Sequence, residues 1–251
     1  MRHLKLTTLG RCIAIAGLMT LSTLAEPGAA DSPTGILRQG LPGRRISGGS
    51  RSPDAACLTT PNQPVVALMP KTNLGLTLQE HPTFWFAIPG IAANKSLEFG
   101  LFDTDGNLLH QQNIAVPSDA GITSIALPET AQTLDLETDY RWYLSVVCDP
   151  NSRAEDLVVT GWVRRVQADA ELQQQLATAT PQEKLSLYES SELWFDGLTT
   201  LAELRNNQPS EQIEQQWTAL FESVDLPQVL SSPFHRSPAP DLAFSQTTST
   251  P

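Results

Sequence analysis

The chain has 251 residues, with 16 Lys and Arg against 27 Asp and Glu, a net charge of −11, and 40% hydrophobic residues. That length holds one or two domains with a full hydrophobic core. The acidic balance argues against binding nucleic acid or anionic lipid through bulk charge, and it favours solubility.

Residues 1–30 read as an export signal. Arg2, Lys5 and Arg11 lead into an apolar run from Cys12 to Ala25, and Thr23-Leu24-Ala25 and Gly28-Ala29-Ala30 offer small-residue cleavage sites. The run is shorter than the roughly 20 residues that span a bilayer, so no transmembrane segment is expected after cleavage. Cys12 lacks a lipoprotein context, because Arg11 precedes it and the apolar run follows it. Cleavage after Ala30 takes the net charge from −11 to −13 and leaves Cys57 and Cys148. In an oxidising compartment such a pair forms one disulfide. No further thiol remains for a metal site or a resolving cysteine.

Residues 31–63 are rich in Gly, Pro, Ser and Arg, which predicts a flexible arm pinned at Cys57. Arg38, Arg44, Arg45 and Arg51 outnumber Asp31 and Asp54, so the arm is locally basic. A solvated linker is preferred to a contact with an anionic polymer.

From Val65 the pattern is short strands divided by turns, the mark of a sandwich over residues 64–167. Strands are predicted at Val65–Met69, Leu74–Leu78, Thr83–Ile88, Ser96–Phe102, Leu108–Val116 and Gly121–Leu127, with the last at Asp156–Val166. Asp105-Gly106 predicts a type I′ hairpin turn. The loop fails as a calcium site, because Leu101 and Gln112 fall at the first and last ligand positions. The central strand is Tyr140–Pro150, with Tyr140, Trp142, Leu144, Val146 and Cys148 on the buried face. Leu136 and the turn Glu137-Thr138-Asp139 ahead of Tyr140 match a tyrosine corner. Gly161 predicts a bulge or a close backbone approach. Together these give a β-sandwich of immunoglobulin or fibronectin type III kind.

Over residues 168–228 the period changes to about 3.6. Thr180-Pro181-Gln182-Glu183 is a capping box, predicting a helix from Pro181 to about Ser190. A second carries Trp194, Leu198 and Leu201 and ends before Pro209; a third starts at Ser210 with Ile213, Trp217, Leu220 and Val224 along one stripe. Leu172 and Leu176 indicate a short helix before them. The segment from Tyr188 through Ser191, Trp194, Gly197, Leu198 and Leu201 to Pro209 resembles one degenerate tetratricopeptide repeat. A lone pair of helices packed on the sandwich is preferred, since such solenoids need about three repeats. Residues 229–251, rich in Pro, Ser and Thr, read as a disordered tail.

Gly75–Pro89 (GLTLQEHPTFWFAIP) and Tyr140–Val166 (YRWYLSVVCDPNSRAEDLVVTGWVRRV), with Trp194-Phe195-Asp196, are similar to stretches of an exported cyanobacterial family, domain-of-unknown-function family 928. The likeness runs from about Pro64 to Leu226. It implies an exported envelope protein and supplies no catalytic residue, cofactor or metal ligand.

No G-x-S-x-G, H-E-x-x-H, phosphate-binding glycine loop or C-x-x-C is present. Of the histidines after residue 30, His235 lies in the tail, His110 in a hairpin strand and His81 beside Glu80 at a strand entrance, where neighbouring side chains point to opposite faces. The expectation is a non-enzymatic interaction or scaffolding module of the cell envelope, without cofactor, whose partner is an envelope protein or polysaccharide. The alternative is a carbohydrate-binding module using the outward rings Trp85 and Tyr143, with Trp194 and Trp217 as further ring candidates. Burial beneath the C-terminal helices competes with that use.

Overall fold

A computed structural model of the chain describes residues 41–48, 57–59, 63–116 and 119–234. The export signal, Asp31, Arg38, Arg51, Asp54 and the tail from His235 onward lie outside the described residues. Eight strands are present: β1 (Val66–Ala67), β2 (Leu74–Thr77), β3 (Thr83–Ile88), β4 (Ser96–Phe102), β5 (Leu108–Ile114), β6 (Gly121–Ala126), β7 (Asp139–Val147) and β8 (Leu157–Arg165). They form a three-stranded sheet, β1-β3-β6, and a five-stranded sheet, β2-β8-β7-β4-β5. All the pairings are antiparallel except that of β2 with β8.

The alternation read in β7 decides the core. Tyr140, Trp142, Leu144 and Val146, with Phe99 and Leu101 beside them on β4, face Phe84 and Phe86 of β3 across the sandwich, all of them buried. Phe84 and Phe86 stand 5.7 and 5.6 Å from Trp142 at steep angles, the geometry that ring quadrupoles favour. The Tyr140 hydroxyl accepts from the Asp135 backbone N–H at 3.0 Å, which fixes the entry into β7 as the corner motif requires. The β7–β8 register runs unbroken through Trp142 and Gly161, so the glycine is a close approach and not a bulge. A Cβ at Gly161 would lie 2.4 Å from the Trp142 ring. Gly161→Ala is therefore expected to cost about 1–3 kcal/mol by overpacking, read from denaturant midpoints, and less in a Trp142→Phe background.

The turn at Gly106 differs from the expected type I′. Gly106 alone has positive φ there, at 87°, its N–H donates to Asp103 O, and the register shifts at Phe102. This is a five-residue loop, Asp103 to Asn107, with one left-handed glycine and a register shift, and not a two-residue hairpin turn. Residues 41–48, expected in the flexible arm, are instead an extended strap. β2 covers only Trp162–Arg165 of β8, and Arg44 exchanges both backbone bonds with the uncovered Thr160. Two residues on, Ile46 bridges Val66 and closes the β1 edge. Arg composition hides this role because the bonds are made by the backbone. Residues 231–234, expected in the disordered tail, close the β6 edge: Ile122 N–H donates to Pro233 O, and Phe234 bridges Ile122.

Four helices follow: α1 (Ala170–Thr178), α2 (Pro181–Ser190), α3 (Trp194–Asn207) and α4 (Glu211–Ser223). The Thr180–Glu183 capping box starts α2, and the Ser210 hydroxyl caps α4. α2, α3 and α4 cover the outer face of the three-stranded sheet, where Val66, Leu68, Ala87 and Ile122 join Leu185, Leu198, Leu201, Ile213, Trp217 and Phe221 in a second core, while α1 buries no residue. The result is three layers, five-stranded sheet on three-stranded sheet on helices. It explains why Val65–Met69 is continuously apolar: Val65, Ala67 and Met69 enter the sandwich core, and Val66 and Leu68 the helical one.

Candidate functional site

The site begins with how α3 is fastened. Phe195, from its first turn, belongs to the sandwich core, edge-on to Phe84 at 5.1 Å. Its ring occupies the space that a side chain at Gly75 of β2 would need, 2.5 Å from the Cβ position. Next to it, Asp196 is buried, and its carboxylate accepts from Leu78 N–H at 3.1 Å and Gln79 Nε2 at 3.0 Å. The Trp194 indole donates to Leu68 O at 2.9 Å, and the Trp85 indole donates to Thr199 Oγ1 at 3.0 Å. α3 thus packs its first turn over Gly75 of β2 and is bonded to the chain just past β2, just past β1 and to β3.

Burial pushes the Asp196 carboxyl up, and the hydrogen bonds from Gln79, Thr77 and Leu78 pull it partly back. The folded chain holds this proton more tightly than the unfolded chain does. Its contribution is present in full below the ordinary aspartate range and is lost as pH rises through the raised folded value. Asp196→Asn is expected to flatten that part of the pH dependence, seen in thermal melts taken across the acid range. Asp196→Ala strands Leu78 N–H and the Gln79 amide and is expected to cost about 1–3 kcal/mol.

On the outer side of α3 lies a groove of about 690 Å³. Trp194, Gly197 and Leu198 form its floor, Leu185 and Tyr188 of α2 one wall, Ala219 and Leu220 of α4 the other, and Pro70 to Leu76 its end. A Cβ at Gly197 would meet Tyr188 Cβ of α2 at 3.5 Å, an ordinary contact, so the two helices pass closely there. A Gln182–Gln216 side-chain bond of 2.9 Å ties the two walls together. The charged residues lining the groove are two acids, Glu189 and Glu192. α2 ends in a Schellman motif: Leu193 N–H donates to Tyr188 O and Glu192 N–H to Glu189 O, with Glu192 at φ 56° where glycine is usual. α4 ends likewise with Asp225 at φ 58°, but Asp225 pairs with Lys71 at 2.7 Å.

Of the four rings singled out in the sequence, three join one neighbourhood. Trp85 packs against the helices and lies edge-on to Phe234; Trp194 floors the groove; Trp217 is fully buried between Phe221 and Phe234, with the Arg205 guanidinium 4.8 Å over its ring. Tyr143 is apart from them, on the outer face of the five-stranded sheet. Its hydroxyl donates to Glu98 at 2.8 Å, in a network where Arg153 bridges Glu98 and Asp156. Burial, then the Glu98 carboxylate, pushes the Tyr143 hydroxyl up to about 12. The pair meant for one sugar face, Trp85 and Tyr143, lies on different sheets. Glu189, Glu192, Ala219 and Leu220 were not singled out as site residues. Their signal was faint: two acids following Leu185 and Tyr188 along a helix read as an ordinary solvated face.

Cys57 and Cys148 are joined as expected, which fits an oxidising compartment. Among the described residues no helix is long and apolar enough to cross a membrane. Fold and groove together define a β-rich domain of two mostly antiparallel sheets with a helical cover. The chain belongs to the family Domain of Unknown Function (DUF928), whose model matches residues 46–234. That match agrees with the resemblance carried by Gly75–Pro89 and Tyr140–Val166. No curated protein matches the chain.

Proposed function

We propose that the chain is an exported, non-enzymatic interaction module of the cell envelope, and that the groove over α3 holds a segment of a partner protein. The observation that carries this reading is the groove itself, an apolar concavity of about 690 Å³ between helices that are fixed to a rigid sandwich. In the smaller cleft beside α3, lined by His81 and Asp196, both groups have structural partners, which supports a non-catalytic role there: the Asp196 carboxylate is taken up by Leu78 and Gln79, and His81 Nε2 lies 3.2 Å from Ala131 O. The sandwich reads as immunoglobulin- or fibronectin type III-like. Its sheets follow the A-B-E and A′-G-F-C-C′ strand orders, with Tyr140 in the F position.

A photo-crosslinking residue at Ala219, introduced in intact cells, tests the reading. A discrete protein adduct is expected there and not from Gln111 on the far edge strand β5. Identical adducts from both positions, or none alongside retention on a polysaccharide column, would count against it. The carbohydrate reading keeps one observation of its own, the Phe102 and Tyr143 rings 5.7 Å apart on the outer sheet face.

A further inference from the structure

We infer that the groove takes an amphipathic helix whose apolar face fills the channel and whose lysine or arginine meets Glu189 and Glu192. This deepens the proposed function and rests on it. The shape argues for a helix. α3 is the floor and α2 and α4 are the walls, so helices line the channel along its length and a strand is met only at its end, at Leu74 and Leu76. α2 has ten residues, so its wall is about 15 Å long, enough for anchors at i, i+4 and i+7. A fourth helix laid there completes a bundle.

The charge argues for a basic partner. No lysine or arginine lines the groove, and neither Glu189 nor Glu192 is in an ion pair among the described residues. Both acids are exposed at the groove rim, open to an arriving cation, and partial burial pushes the Glu189 carboxyl up. Glu192 adds a second reason. It holds a left-handed position where glycine would be relaxed, and unlike Asp225 at the matching end of α4 it makes no ion pair in return. Charges at a groove rim choose among partners more than they add affinity.

The test is selection of a displayed library of helix-forming peptides against the full, disulfide-bonded chain, repeated on variants. The expected winners carry apolar residues at i, i+4 and i+7 with a flanking lysine or arginine. Their affinity should fall roughly fivefold for Glu189→Lys and in the same direction for Glu192→Gly, a change that relaxes the backbone and so preserves the fold. Ala219→Trp, which fills the channel, should abolish binding. Reselection on Glu189→Lys should favour acidic flanks. Winners unchanged by Glu189→Lys and Glu192→Gly overturn the basic-partner inference, while an adduct at position 219 would still uphold the interaction reading. Winners that survive Ala219→Trp place the site elsewhere, and uptake of oleate with no peptide selected replaces the helix by a lipid; either result overturns the proposal.

Discussion

Loss of the Cys57–Cys148 bond is expected to lower stability by about 4–5 kcal/mol, the chain-entropy value for a loop of this size. The linked residues are 91 apart, so the bond closes a loop that holds β1 to β7 entire and restricts the unfolded chain accordingly. In the folded state it fastens the stretch around Cys57, which also pairs with the β3–β4 connection through Leu58 and Ile91, to the end of β7. Urea midpoints of the oxidised chain, the reduced chain and Cys57→Ser/Cys148→Ser check the value. A loss near zero would mean that the unfolded chain already keeps these segments together.

Phe195→Ala is expected to cost about 3–5 kcal/mol, as for a large ring deleted from a packed core. The effect reaches further than its size, because Phe195 is the α3 side chain buried within the sandwich core cluster, with Trp194 packed against its margin. Removing it empties the space over Gly75 and beside Phe84 and loosens the first turn of α3, where Trp194 floors the groove. The variant should therefore lose both denaturant resistance and groove binding. A Phe195→Leu variant, which keeps an apolar plug, should recover part of each.

Much of this architecture was legible because period and punctuation do not depend on distant contacts. β3 and β4 fall on the residues that alternation marks, and α2 starts at the Thr180 capping box. Tyr140 and the two cysteines each carry a local signature with one common structural meaning. What was hidden is made by pairing across the chain. Arg44 and Ile46 sit among turn-forming residues, and only the uncovered backbone of Thr160 and Val66 turns them into a strap. Pro233 and Phe234 look like a tail until Ile122 offers an open edge. The groove was least legible, since Glu189, Glu192 and Ala219 have surface character in the sequence and gain a role only when α2 and α4 are set on either side of α3.

The groove is a permanent part of one folded body because α3 belongs at once to the sandwich and to the helical layer. Native-state hydrogen exchange across a urea series, comparing amides of β8 with amides of α4, tests this most directly. A single transition releasing both sets at the same denaturant concentration is the expected result. Helical amides that exchange through a separate, earlier transition while β8 stays protected would contradict it.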